Sequence, residues 1–280
     1  MNAGEGFIAP PGASYLPAGR WRGERLEQAG ELVADEVPVA LSYNGISHAV
    51  MLASPCDLED FALGFSLGER IVRDPREIYE IEVEEAARGI VIAMRIASGA
   101  MMRLKETRRA RLGRTGCGLC GVESLAGFDD DVFGAGAPQR LAQVRFEPAA
   151  LHRAMAAMAA RQDLHRATGA VHAAAWAGRD GELLCVREDI GRHNALDKLV
   201  GALARDRGAG EGFALVTSRA SFEMVQKAAR AGMPLLAAIS APTALAVRVA
   251  GAAGLTLAGF VRGGRHVVYT HPQRLSAEAG

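Results

Sequence analysis

The sequence predicts an α/β protein: a mixed, mainly parallel sheet with helices on both faces, preceded by a smaller N-terminal α+β subdomain. Three observations carry this. In the second half, short apolar runs such as Phe213–Thr217, Leu235–Ile239 and Leu255–Val261 alternate with helical segments of about a dozen residues, which reads as right-handed βαβ units. In the first half, Asn44-Gly45 and Glu84–Gly89 each separate runs of alternating apolar and polar residues, which reads as hairpins that add antiparallel strands. With 49% apolar residues, a chain of 280 can bury a sizeable core.

Met1–Gly30 holds Pro10-Pro11, Pro17 and several glycines, with no basic start leading into an apolar run. It reads as a disordered tail without a signal peptide. Residues 31–140 then form the N-terminal subdomain and 141–280 the second domain. A strand is expected over Leu32–Leu41, returning after Asn44-Gly45 along Ile46–Leu52. Ser54-Pro55-Cys56-Asp57 opens a helix over Leu58–Val72, in which Leu58, Phe61, Ala62, Phe65 and Ile71 share a face. Ile78–Val83 and Ile90–Ile96 form the second hairpin, and Ala100–Leu112 a helix. Val122–Arg140 carries Asp129–Asp131, three glycines and Pro138 without periodicity, so it reads as a long loop.

Beyond it, Leu141–Phe146 is expected as a strand and Pro148–Leu164 as a helix buried through Leu151, Met155 and Met158. Val171–Ala177 and Glu182–Arg187 are strands about the turn Gly178–Gly181. Helices follow over Asn194–Leu203, Ala220–Ala231 and Pro242–Ala253, with Pro242 at a first helical position. Leu255–Val261 and His266–Thr270 are strands about Arg262–Arg265. Gly232–Val261 contains a single charge, Arg248, but Pro234, Pro242 and its glycines cut it into core-sized pieces and not a membrane span. The formal net charge is zero, so no global field draws nucleic acid or membrane, and any anion site must be local.

The chain is organised around Gly116-Cys117-Gly118-Leu119-Cys120-Gly121. With four cysteines in all and only this pair close in sequence, the composition fits a reducing compartment, the cytoplasm, better than a disulfide scaffold. Arg103, Lys105, Arg108, Arg109, Arg111 and Arg114 precede the pair against one acid, Glu106, and positive charge favours the thiolate. A structural zinc site needs two more ligands, and no second CxxC or HxxxH supplies them. A zinc deaminase needs His-x-Glu and Pro-Cys-x-x-Cys; no histidine here has Glu two residues on, and Gly116 stands before Cys117. A thioredoxin-like dithiol follows a strand directly, whereas this pair follows a basic helical stretch. Sulfur carriage requires one exposed thiolate on an arm. Of the other cysteines, Cys185 reads as a small core residue, and Cys56 as structural or incidental.

Anion sites are expected where strands end and helices begin. Thr217-Ser218-Arg219-Ala220-Ser221 and, one βα unit later, Ser240-Ala241-Pro242-Thr243 combine free N–H groups, helix dipoles and hydroxyls. Ser218, Arg219, Ser240 and Thr243 are the candidate phosphate contacts; plain N-capping is the alternative. Phe260-Val261-Arg262-Gly263-Gly264-Arg265 sets two arginines about a Gly-Gly turn, which reads either as a plain hairpin or as a site that suits a planar or phosphorylated ligand. Arg187–Asn194 crowds charge between strand and helix. Surface capping accounts for Asp189 and Asn194, while His193 points to a lined pocket.

Together, GCGLCG (Gly116–Gly121), VREDIGRHNALDKL (Val186–Leu199), TSRASFEMVQKAA (Thr217–Ala229), SAPTALAV (Ser240–Val247) and GLTLAGFVRGGR (Gly254–Arg265) resemble the ordered motifs of the formate dehydrogenase accessory sulfurtransferases (FdhD/NarQ), as do Asp35–Asn44 and Leu63-Gly64-Phe65. The resemblance spans about residues 30 to 270. It implies a cytidine deaminase-like fold, a homodimer, and a cytoplasmic carrier that takes sulfur from a cysteine desulfurase as a persulfide. Cys117 would be the carrier and Cys120 its helper. The acceptor would be the molybdenum or tungsten bis(molybdopterin guanine dinucleotide) cofactor of formate dehydrogenase, bound at Phe260–Arg265, with a guanine nucleotide as a mimic. No nucleic acid, membrane or resident metal is implied. Cys56 departs from the family pattern. Two other readings stay open: a non-catalytic chaperone for the cofactor, and a dithiol redox regulator.

Overall fold

The chain builds a six-stranded sheet with helices on both faces, a four-stranded sheet with helices on one face, and a free-standing two-stranded ribbon. The structure is a computed structural model and describes residues 9–111, 144–206 and 210–276. Cys117, Cys120 and the expected loop Val122–Arg140 lie outside the described residues.

Of the expected disordered tail Met1–Gly30, residues 1–8 lie outside the described residues and the rest is structured. Strand β1 (Ala13–Arg22) pairs antiparallel with β2 (Arg25–Ala34) along its whole length, turning at Gly23, whose φ of 63° suits the first central position of a type II′ turn. Pro17, Gly19 and Gly30 interrupt the apolar alternation in sequence, but a ribbon tolerates them because each strand has an open edge. In space, Tyr15 lies over Gly30, where any side chain would collide with its ring. Among the described residues the ribbon is anchored at its base, with Ala13, Leu32 and Ala34 against Leu164, Val171 and Ile190.

The expected strand Leu32–Leu41 is in fact two, since β2 ends at Ala34 and β3 spans Val37–Tyr43. Asn44 and Gly45 both take positive φ, 47° and 78°, and return the chain along β4 (Ile46–Ala53). β5 (Ile78–Ala86) and β6 (Gly89–Ile96) are the second hairpin, and the sheet order is β4-β3-β6-β5. One face packs on α1 (Leu58–Gly68) and α2 (Ser98–Arg111) through Val39, Leu41, Tyr43, Phe61, Phe65, Ile92 and Met94. α1 stops at Gly68, four residues short of the expected end.

Of the expected strand Leu141–Phe146, residues 141–143 lie outside the described residues, and Phe146 makes a parallel bridge to Leu275. The expected helix Pro148–Leu164 is split into α3 (Pro148–Ala160) and α4 (Asp163–Thr168), with Arg161 reaching the carbonyl of Leu183 at the break. β7 (His172–Gly178) and β8 (Leu183–Asp189) follow, then α5 (Arg192–Arg205), β9 (Gly212–Val216), α6 (Phe222–Arg230), β10 (Leu235–Ala238), α7 (Ala244–Ala252), β11 (Thr256–Arg262) and β12 (Arg265–Thr270). The order is β12-β11-β10-β9-β7-β8, with β9, β10 and β11 parallel at the centre and antiparallel pairs outside them. Alternate residues face opposite layers. Ala174, Trp176, Ala214, Val216 and Leu236 meet α5, α6 and α7, while Ala175, Phe213, Leu215 and Leu235 meet Leu151, Met155 and Met158 of α3. Pro242 is not in α7; it pairs with Ala220, and Thr243 caps the helix. No described helix is long and apolar enough to cross a membrane.

Candidate functional site

The sheet topology gathers the predicted anion sites at one edge. The carboxyl ends of β8, β9, β10 and β11 and the start of β7 lie together, so the N-termini of α5, α6 and α7 all open there. Their dipoles and free N–H groups favour an anion. The loops are tied to one another. Ala220 N donates to Ala241 O at 3.3 Å, Thr243 N to Ala220 O at 3.1 Å, and Phe260 N to Ser240 O at 3.2 Å.

Phe260 sits in the left-handed region, φ 55°, at a bulge in β11 and is exposed, while Val261 is buried in the core. Arg262 pairs with Arg265 across Gly263-Gly264, whose φ values of 56° and 73° fit a type I′ turn and leave both arginines exposed. Ser218 is buried and donates to the carbonyl of Arg219; Arg219 is exposed beside it. Ser240 is half-buried and engaged through its carbonyl. Thr243 is an N-cap, its hydroxyl accepting from Ala246 N at 3.2 Å, so capping is what that side chain does here. Ser221 precedes α6 but makes no capping bond, and its buried hydroxyl has no hydrogen-bond partner.

The Arg187–Asn194 block divides in two, and the surface-capping reading of Asp189 and Asn194 is overturned. Both are buried at the joint to the N-terminal subdomain. Asp189 accepts from Lys198, Ser54 N, Gly191 N and Asn194, and Asn194 donates to Leu52 O. Arg187 likewise turns to Asp60 of α1, 2.7 Å away. His193 faces the open edge, its Nε2 2.9 Å from Glu223 of α6 but outside hydrogen-bond alignment. Glu223 was not anticipated. An acid in a first helical turn is common, and its neighbour His193 lies thirty residues earlier in the chain. His172, at the start of β7, completes the cluster.

Positive charge accumulates here. Burial first, then Arg192, then His165 hold the His172 imidazole below the usual 6.5, with His193 adding to the effect. The folded chain therefore binds this proton less tightly than the unfolded chain. His172 contributes stability that is present above pH 6.5 and lost as pH falls through its depressed value. His266 on β12 behaves likewise, through burial and then His152, whose Nε2 is 3.0 Å from His266 Nδ1. We expect His172→Gln and His266→Gln each to flatten the rise of melting temperature between roughly pH 5 and pH 7; an unchanged slope in the double variant would contradict this.

Cys56 lies 3.7 Å from the Lys198 ammonium, which pairs with Asp189 at the carboxyl end of β8, and burial raises its pKa, so the thiol form dominates. Cys185 is half-buried against the core, as expected. A cavity of about 1030 Å³ opens at the opposite, amino-terminal ends of β9 and β10, between Arg70, Arg73, Trp176 and Met233. Among the described residues no group of three or more His, Cys, Asp or Glu is placed to hold a metal ion.

The ordered motifs on this edge match a family model, described as the FdhD/NarQ family, over residues 34–276. The chain belongs to the FdhD/NarQ family. Over 278 residues, 99% of this chain and 95% of the other, it is 55% identical to a protein of Cupriavidus necator named sulfur carrier protein FdhD. A protein of Variovorax paradoxus with the same name is 54% identical over 280 residues, 99% of this chain and 98% of that one. A crystal structure from Desulfotalea psychrophila, described as a formate dehydrogenase accessory protein, superposes with a TM-score of 0.72 at 24% identity, covering 95% of this chain and 100% of that one. That likeness establishes the FdhD fold.

Proposed function

We propose that this chain is a sulfur carrier that receives sulfur from a cysteine desulfurase as a persulfide on Cys117. It delivers that sulfur to the molybdenum or tungsten bis(guanine dinucleotide) cofactor destined for formate dehydrogenase, and it works as a homodimer. The observation that carries the reading is the match along almost the whole chain to relatives named sulfur carriers, in a sequence that places Cys117-Gly118-Leu119-Cys120 behind a basic stretch. The carboxyl edge supports it. Three helix N-termini, Arg192, His193, Arg219, Arg262 and Arg265, and the free hydroxyl of Ser221 suit a ligand rich in phosphate. Phe260 offers an exposed ring to a base.

The chemistry assigns the two thiols different tasks. The Cys117 thiolate takes the terminal sulfur of the donor's persulfide, and the donor leaves as a thiolate, with no net redox change. Releasing that sulfur as sulfide requires two electrons. The Cys120 thiolate supplies them by attacking Cys117 Sγ, which forms the Cys117–Cys120 disulfide and expels hydrosulfide to the acceptor. A cellular thiol then reopens the disulfide.

Intact mass after incubation with a desulfurase and cysteine should show one added sulfur, absent in Cys117→Ala and retained without turnover in Cys120→Ala. Cys117→Ala should also leave formate dehydrogenase inactive in cells lacking the native gene. Retained activity would leave only a cofactor chaperone, and loss of two hydrogens without sulfur uptake would indicate a redox switch.

A further inference from the structure

We infer that the cavity at the amino-terminal ends of β9 and β10 is a second binding site, for an amphipathic organic anion: a flat apolar body that carries one carboxylate or phosphate. Its ligand is distinct from the sulfur acceptor proposed above, because the carboxyl edge lies at the other end of the same strands. A volume of about 1030 Å³ is at the upper end of what small-molecule sites enclose, and a joint between two subdomains is a usual place for one. Leu67 and Val72 line it from the N-terminal subdomain, and Trp176, Val200, Leu203 and Met233 from the second domain. These side chains also belong to the clusters that hold each half together, so the fold itself fixes the apolar wall.

The charge around the cavity is positive where it is not already matched. The lining carries Arg70, Arg73, Lys227 and Arg230 against Asp206 and Glu211. Lys227 is matched by Asp197 and Glu69, and Glu211 by Arg179. Arg230 donates to the Gly68 carbonyl at 2.8 Å and so answers the carbonyl end of α1. Among the described residues the guanidiniums of Arg70 and Arg73 make no hydrogen bond and no ion pair. Arg73 is nevertheless fixed through its backbone, whose N–H donates to Glu77 Oε2 at 2.7 Å. Two exposed guanidiniums beside an apolar wall match an anionic head on an apolar body.

Arg70 is held there against its backbone preference. After α1, Ile71 N donates to Ser66 O at 2.9 Å and Arg70 N to Leu67 O at 3.0 Å, a turn that puts Arg70 in the left-handed region at φ 55°. The same turn after α6 and α7 is made by Gly232 and Gly254, with φ 72° and 65°, the residue type that takes this conformation without strain. An arginine in glycine's place is a strained residue, and such residues concentrate where side chains bind or react. What arginine supplies here, and glycine does not, is a guanidinium at the cavity.

Fluorescence titration of the full chain with anilinonaphthalene sulfonate, an amphipathic anion, tests this. Wild type should show one saturable site, whose occupation raises the melting temperature. Arg70→Gly/Arg73→Gln should weaken binding about 10-fold or more. It should not lower the melting temperature of the free protein, since glycine suits the turn, and that separates a ligand contact from a structural role. Ala204→Trp, which fills the cavity from α5, should abolish binding, while Arg262→Gln/Arg265→Gln at the carboxyl edge should leave it unchanged. Naphthoate and naphthyl phosphate should displace the dye, the tighter of them identifying the head group, and neutral naphthylmethanol should not. Absence of a saturable site in wild type would overturn the inference. So would binding that survives both cavity variants, binding lost on substitution at the carboxyl edge, or displacement by the neutral alcohol as effective as by the anions.

Discussion

Asp189→Ala is expected to lower folding stability by about 3–5 kcal/mol, read from the denaturant midpoint. Asp189 and Lys198 are both wholly buried, 2.7 Å apart. The carboxylate also receives Ser54 N at 3.0 Å, Gly191 N at 2.8 Å and the Asn194 amide at 3.0 Å, and the ammonium donates to the carbonyls of Ser54 and Glu188 at 3.1 and 3.2 Å. Removing the anion strands a desolvated cation and at least two backbone donors, each of which costs free energy. The pair itself is worth far less than its disruption. Asp189→Leu combined with Lys198→Met should recover only the part of the loss due to the stranded ammonium, because Ser54 N, Gly191 N and the Asn194 amide stay without their acceptor. A single Asp189→Ala variant within about 1 kcal/mol of wild type would refute this account. The loss should reach the carboxyl edge as well. Gly191 and Asn194, which Asp189 holds, bracket Arg192 and His193 at the start of α5.

This joint also shows where the sequence ceases to be readable. The βα alternation of the second half was legible because its central strands are buried on both faces and its helices on one, so period and length alone separate them. Asn44-Gly45 was legible because few dipeptides accept two positive φ values. The anion loops were legible as strand-to-helix junctions, and the parallel centre of the sheet brings them together. The charges of Arg187–Asn194 were not, because whether an Asp is buried depends on partners such as Ser54 and Asp60, more than a hundred residues away. The ribbon is illegible in sequence because Pro17, Gly19 and Gly30 erase its alternation, and only the base of its apolar face, Ala13, Leu32 and Ala34, joins a core of the described residues. The break between α3 and α4 carries neither Gly nor Pro. It is imposed from outside, where Arg161 reaches the Leu183 carbonyl.

Gly64→Ala should be still more damaging, costing about 3 kcal/mol or more, or preventing folding, and Gly201→Ala should match it. α1 and α5 cross with their backbones in contact. A Cβ on Gly64 would sit 1.7 Å from the Asp197 carbonyl oxygen, and one on Gly201 would sit 1.9 Å from that of Asp60. Neither neighbour is a side-chain end that can swing aside, so the helices must separate. Separation would also disturb the ion pairs flanking the crossing. On one side Asp197, its carboxyl pushed up to about 6 by burial, stands 2.9 Å from Lys227; on the other Asp60 meets Arg187 and Arg205. Two glycines serve as controls. At Gly68 the nearest atoms are the side-chain ends of Asp197 and Lys227 at 3.1 Å, which can move, so alanine there should cost less. Gly45→Ala meets no atom and pays only for its positive φ, about 1 kcal/mol. Thermal melts of the four variants should thus rank Gly64 and Gly201 well below Gly68 and Gly45. Equal losses at all four would mean that the crossing does not set the cost, since by helix propensity alone alanine is favoured over glycine at the three helical positions.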